Sequence, residues 1–114
     1  MEKKKRVLVV EDEKIPREMY ARKFQKLGAE VVSVSSAKEA IEALGQSSFT
    51  HVVCDGLEGR WRDLVPTVQP TGAILRVVSG RQIGDEVKRV GAEFVSKFDL
   101  APFGKIPIEK LING

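Results

Sequence analysis

The sequence predicts an α/β fold: a doubly wound, five-stranded parallel sheet with helices on both faces. Three observations carry this. Five short apolar runs alternate with segments of helical spacing. The runs are rich in β-branched residues and continuous rather than alternating, which marks strands buried on both faces. Strict strand–helix alternation requires right-handed crossovers, which spread the helices over both sides of the sheet.

Val7, Leu8, Val9 and Val10 form the first run. The spacing then predicts a helix over Pro16 to Leu27, with Pro16 in its first turn and Gly28 as its stop. Met19, Tyr20, Phe24 and Leu27 supply its apolar face. Val31 to Val34 reads as the second strand. Ser36 opens a second helix, and Glu39 three residues on completes a capping box. Ala37, Ala40, Ile41 and Leu44 form its inner face, and Gly45 is expected to end it. His51 to Cys54 is the third strand. Trp61 to Val68 is a weak third helix, interrupted at Pro66. Ala73 to Val78 is the fourth strand, Asp85 to Val90 a short helix stopped by Gly91, and Glu93 to Ser96 the fifth strand. Ile108 to Ile112 is expected to make a final helical turn or two. With no repeat and no low-complexity segment, residues 1–114 are expected to be one domain behind a basic tag, residues 1–6.

The 114 residues are 42% hydrophobic and 31% charged, the balance of a soluble chain able to bury a core without staples. A single cysteine excludes an intramolecular disulfide, and one Cys with one His argues against a structural zinc. No apolar run approaches the ~20 residues of a membrane span, and Val7–Val10 is too short for a signal-peptide core. No membrane insertion is expected, and the expected compartment is the cytoplasm. The net charge of +3 is local: Lys3, Lys4, Lys5 and Arg6 against Glu2 account for all of it. Without interleaved aromatic residues the tag reads as a solvated start, not a nucleic-acid contact.

In sheets of this kind chemistry collects beyond the carboxyl ends of the strands. Glu11, Asp12 and Glu13 follow the first strand, Asp55 the third, Ser79 the fourth and Lys97 the fifth. Carboxylates brought to one crevice raise one another's pKa or recruit a cation. Hard oxygen ligands with few protein donors suit magnesium. A hydroxyl from Ser79 and a point charge from Lys97 would serve the oxygens of a phosphoryl group at one of the carboxylates. These are the parts of a phosphoryl-transfer site.

VLVVEDE (Val7 to Glu13), HVVCD (His51 to Asp55), VVSG around Ser79 and GAEFVSK (Gly91 to Lys97) resemble the receiver domain of bacterial two-component response regulators. The resemblance runs from about Arg6 to Lys97, with the four pieces in order and each at a strand end. It implies the flavodoxin-like receiver fold. It further implies that Asp55 is the phosphoacceptor and that Glu11, Asp12, Asp55 and the backbone carbonyl of Leu57 hold Mg2+. Ser79 takes the place of the switch hydroxyl, Lys97 that of the phosphoryl-binding lysine, and Phe94 that of the switch aromatic. Leu57 and Arg81 fall beside the path of a hydrolytic water, which implies slow loss of the phosphoryl group. A histidine kinase or phosphotransfer protein would be the donor, and a downstream protein the recipient of the signal. The chain departs from the family pattern in having Gly56 and Gly59 after the acceptor, and Phe98 rather than proline after Lys97. A cis bond before a non-proline residue costs ~2.5–4 kcal/mol, so Lys97–Phe98 is expected to be trans. The intervals from Asp55 to Ser79 and from Ser79 to Lys97 are short for the family, so the third and fourth helices must be trimmed.

The alternative is a pseudo-receiver, the same fold serving as a phosphorylation-independent interaction module. A phosphatase with an aspartyl nucleophile would need an acid two residues on, where Leu57 stands, so an enzyme is not expected. Core packing alone would also explain Phe94. His51 reads as a strand residue, Cys54 as a small buried hydrophobe, and Trp61 either as a partner contact or as a lid over the core edge.

Overall fold

The structure, a computed structural model, describes residues 4–114; Met1, Glu2 and Lys3 of the basic tag lie outside the described residues. Five parallel strands, β1 (Arg6–Val10), β2 (Glu30–Val34), β3 (His51–Asp55), β4 (Ile74–Ser79) and β5 (Glu93–Ser96), form one sheet in the order β2-β1-β3-β4-β5. The helices are α1 (Lys14–Lys26), α2 (Ala37–Gln46), α3 (Val65–Val68) and α4 (Gly84–Arg89). Leu57–Leu64, kinked by a non-helical stretch at Glu58 and Gly59, Gln69–Thr71 and Ile108–Ile112 are 3-10 segments. Among the described residues no helix is long and apolar enough to cross a membrane.

The continuous apolar run of β1 is explained by its two faces. Leu8 and Val10 point into a core shared with α2, Trp61, Leu64, α3 and α4. Val7 and Val9 point the other way, onto Tyr20 and Phe24 of α1 and Leu111 and Ile112 of the last turn. Period-2 alternation therefore fills both cores from one run, as a doubly covered parallel strand requires.

Helix α1 starts at Lys14, which leaves Pro16 in the first turn, and the chain leaves it through Gly28 at φ +90°. Its buried stripe is only Tyr20 and Phe24, whose rings stack at 6.1 Å. Met19 and Leu27, expected on that face, are exposed, because Met19 sits one position, about 100°, off a narrow i,i+4 stripe and Leu27 lies past the helix end. Ile41 is likewise turned outward beside buried Ala40. Half of the expected capping box of α2 is present: Glu39 N–H donates to Ser36 Oγ at 3.2 Å, while the Glu39 carboxylate accepts from the Ser35 and Ser36 hydroxyls instead of the Ser36 N–H. Such a cap contributes about 1 kcal/mol. Gly45 does not end α2; the helix runs through it to Gln46.

The expected helix over Trp61 to Val68 needs the largest correction. It is a 3-10 segment from Leu57 to Leu64 followed by one turn of α-helix, and Pro66 sits in the first turn of α3. There its missing N–H breaks nothing, so Pro66 opens the α-turn instead of interrupting it. With α3 at four residues and α4 at six, the third and fourth helices are short, as expected. Among the described residues of the tag, Lys4 is exposed and Arg6 half-buried, and both face one acid. Lys4 and Arg6 lie 3.7 and 3.1 Å from the Glu30 carboxylate, and Arg6 lies over the Phe49 ring.

At the amino-terminal edge of the sheet, His51 is a buried strand residue. Its ring nitrogens contact Thr50 Oγ1 at 2.8 Å and the Asn113 carbonyl at 3.3 Å. Arg76 of β4 donates to the carbonyls of Lys110, Leu111 and Asn113, gathering the last turn onto the sheet.

Candidate functional site

The parallel register lines up the strand ends. Val10 stands beside Cys54, Asp55 beside Val78, and Ser79 beside Ser96, so the residues after these positions emerge on one edge. The ladders continue into the loops: Glu11 N–H donates to the Val34 carbonyl and Lys97 N–H to the Ser79 carbonyl. Placement of the site is thus a property of the sheet, not of flexible loops.

Glu11, Asp12 and Asp55 each bring a carboxylate oxygen to within 4.8 Å of one another. Glu11 is buried, Asp55 half-buried and Asp12 exposed. Burial pushes the Glu11 carboxyl up to about 7; the Glu13 N–H on its Oε1 works against this, and the Asp55 charge works with it. From the far side of β4, Lys97 Nζ reaches Asp55 Oδ1 at 2.8 Å. Burial pulls the Lys97 ammonium down, but its hydrogen bond to Asp55 and the charges of Asp55, Glu11 and Glu13 together hold it above its ordinary value. The donors are all hard oxygens with no nitrogen or sulfur among them, a set that suits a hard divalent cation.

Beyond Asp55 the chain makes a tight left-handed turn. Leu57 (φ +50°), Glu58 (φ +54°) and Gly59 (φ +97°) are consecutive. For Leu57 and Glu58 this conformation costs about 1 kcal/mol or more each, and it persists only where the surroundings impose it. Gly56 N–H donates to the Val78 carbonyl, Gly59 N–H closes back on the Gly56 carbonyl, and the Leu57 side chain is buried in the core. Gly56 also lies against Ser79: a Cβ there would come within 3.1 Å of Ser79 Oγ. The two glycines therefore permit close approach and a left-handed residue, so the loop is specified rather than loose.

Ser79 is buried, and its Oγ accepts from Arg81 N–H at 3.1 Å. A cleft of about 280 Å3 opens beside Asp55, with Ser79, Lys97, Leu57 and Arg81 in its lining. Phe94 is not brought to it. The ring is half-buried against the α2-side core and lies where a Cβ on Gly84, the first residue of α4, would meet it. Lys97–Phe98 is trans, and Ala101–Pro102 carries the cis bond. Cys54 is buried, and burial together with the Asp55 and Glu11 charges raises its thiol well above the usual range. Trp61 is fully buried core, which settles it as neither a partner contact nor a lid, and its Nε1 has no hydrogen-bond partner among the described residues.

Three contributors were not legible in the sequence. Arg17 donates to the carbonyls of Glu11 and Asp12 at 3.0 and 3.4 Å, fastening the acidic loop from α1. Tyr20 lies close enough for burial and the Glu11 and Asp55 charges to push its phenol up to about 12. Arg62 reaches back to the Gly59 carbonyl and across to Glu86. Only Arg17, one turn into a helix that follows the acids, carried a local signal.

Compared by sequence, the chain matches no protein-family model and no curated protein. Compared by structure, it is similar to a Burkholderia pseudomallei response regulator that carries a phosphorylated aspartic acid, a calcium ion and citrate, at TM-score 0.78 and 21% identity; the match covers 96% of this chain and 66% of that one. The receiver domain of the Francisella response regulator 1452 matches at TM-score 0.75 and 20% identity, over 95% of this chain and 90% of that one. The Vibrio cholerae chemotaxis protein CheY4 matches at TM-score 0.77 and 21% identity, over 96% and 93%. The chain therefore has the CheY-like receiver fold, a flavodoxin-like five-stranded parallel sheet.

Proposed function

We propose that the protein is a receiver that takes a phosphoryl group onto Asp55 from a histidine kinase or phosphotransfer protein and passes the signal to a protein partner. One observation carries the reading: three carboxylates and a lysine from three different places in the chain converge at the carboxyl edge of the sheet. Glu11, Asp12, Asp55 and the Leu57 carbonyl would hold Mg2+, which when bound offsets the negative charge of the carboxylates and the incoming phosphoryl group. An Asp55 carboxylate oxygen attacks phosphorus, the donor's P–N or P–O bond breaks, and the electron pair leaves with the donor group. Lys97 exchanges its contact with Asp55 for a phosphoryl oxygen, and Ser79 donates its hydroxyl to another. Phe94, packed against the start of α4, is the aromatic that would relay the change to the partner surface. The product is a stable aspartyl-phosphate, so the protein is a phosphoacceptor and not a turnover enzyme, and its place is the cytoplasm. The Burkholderia neighbour, with its phosphorylated aspartic acid and calcium ion, supports this reading.

The test is intact mass after incubation with Mg2+ and acetyl phosphate or phosphoramidate. One phosphoryl group should be gained, and Asp55→Asn should gain none. Labelling that survives this substitution assigns the wrong acceptor. A parent that gains nothing supports the second reading, the pseudo-receiver, which the short α3 and α4 favour.

A further inference from the structure

The turn Leu57–Glu58–Gly59 is left-handed at every residue, and two of these are not glycine. Something outside the turn must hold it. Its backbone closure on Gly56 and the burial of Leu57 fix the amino-terminal half. At the other end one side chain holds the turn: Arg62 Nη1 donates to the Gly59 carbonyl at 2.9 Å. The same guanidinium turns its remaining edge to α4. Its Nε donates to Glu86 Oε1 at 2.9 Å and its Nη2 grips both carboxylate oxygens. The guanidinium plane also lies over the Trp61 ring, 5.0 Å from its centroid, and that ring is anchored in the core. Arg62, itself in the lining of the cleft beside Asp55, thus spans from the loop after the proposed acceptor to the helix after Ser79.

We propose that Arg62 is a positioning residue that latches the acceptor loop to α4, so that the Leu57 carbonyl and α4 are held as one mechanical unit. This rests on the phosphoacceptor reading only for its consequence at the metal site; the latch itself belongs to the metal-free protein. A planar fork with donors on two edges suits the task, because one edge serves a backbone carbonyl while the other serves a carboxylate. A lysine supplies one point charge and cannot hold both in fixed geometry. An ordinary surface ion pair of the same exposure would contribute little and couple nothing. What sets this pair apart is the third contact, to Gly59, which ties the ion pair to a backbone that would otherwise relax.

The experiment compares the parent with Arg62→Gln, Glu86→Gln, Arg62→Lys and the double Gln variant. Amide exchange is read at residues 57–59 and at α4 without metal. Exchange should quicken several-fold at both places in each single variant, and the double variant should be no faster than the singles, because both break one latch. Arg62→Lys should behave like Arg62→Gln, although it keeps the charge. In a Mg2+ titration followed by Trp61 fluorescence, each variant should show an apparent Kd weakened about 3- to 10-fold. Overturning results are α4 responding to Glu86→Gln while residues 57–59 do not, single effects that add in the double variant, or full retention by Arg62→Lys. A parent that ignores Mg2+ while the exchange pattern holds would refute the metal site and leave the latch standing.

Discussion

Gly56 packs directly onto Ser79: the space a Cβ would need at residue 56 is closed by Ser79 Oγ at 3.1 Å and Ser79 Cβ at 3.3 Å. The backbone at Gly56 has φ −59°, which any residue adopts. Gly56→Ala therefore tests the contact without backbone strain. Ser79 is buried and must yield by a few tenths of an ångström, which turns its hydroxyl away from the cleft. Phosphorylation by acetyl phosphate should slow about tenfold, a barrier increase of ~1.4 kcal/mol, with the melting temperature nearly unchanged. Unaltered labelling kinetics would separate Ser79 from the reaction.

Stability should depend on pH through Glu11. The carboxyl titrates at about 7 in the folded protein against an ordinary 4.5. Between these values the folded state holds a proton that the unfolded chain has released, so stability falls as pH rises and levels off above about 7. The full span is at most about 3 kcal/mol. Glu11→Gln, an uncharged mimic of the protonated form, should lose this slope and exceed the parent in stability on the alkaline side. Denaturant melts of both proteins across the range give the comparison; parallel curves would remove Glu11 as the source.

Metal and lysine compete to neutralise the same acids. Lys97→Met should destabilise the metal-free protein by ~1 kcal/mol or less, since the ammonium is half-exposed, and millimolar Mg2+ should shrink that deficit. Asp12→Ala should abolish the Mg2+-dependent rise in melting temperature expected of a native-state ligand, without lowering the metal-free value. A parent indifferent to Mg2+ would leave both expectations empty and favour the pseudo-receiver.

Phosphorylated protein should decay slowly. Leu57, its side chain turned into the core, puts no hydrogen-bonding group beside the cleft to orient a water, and Arg81 lines the cleft as a cation. Leu57→Asn introduces a hydrogen-bonding group and suits the left-handed φ better than leucine does, while losing a buried apolar side chain. It should hasten decay several-fold at some cost in stability, and Arg81→Ala should hasten decay with no such cost. Decay of the parent within seconds of donor removal would contradict the shielding argument.

The strands and their order of use were legible because a doubly buried strand leaves an unbroken apolar run, and Val7–Val10 is the clearest. The positions of Glu11, Asp12, Asp55, Ser79 and Lys97 followed from the same fact, since each stands at or just after the end of such a run. Helix faces were less legible. Met19 and Ile41 are apolar at nearly helical spacing, but one residue of phase separates the stripe from its flank. The segment after Asp55 was misread because Pro66 has opposite meanings inside a helix and at its start. The bridge from Arg62 to Glu86 and to the Gly59 carbonyl could not be found, because the contact joins side chains and backbone from separate elements and no local pattern records it.

The gathering of the last turn by Arg76 determines how a mechanical load would travel. Asn113 is bound by Arg76 of β4 and by His51 of β3, and Arg76 in turn pairs with Glu93 of β5. A pull applied at Asn113 therefore enters the sheet at two interior strands and reaches the edge strand β5 through Arg76. These two strands carry Ser79 and Asp55 at their opposite ends. Tension on the tail and chemistry at the cleft share the same two β-strands as a common rod, so the carboxyl-terminal turn is a natural point for attaching a force probe or a strain-sensitive fluorophore pair.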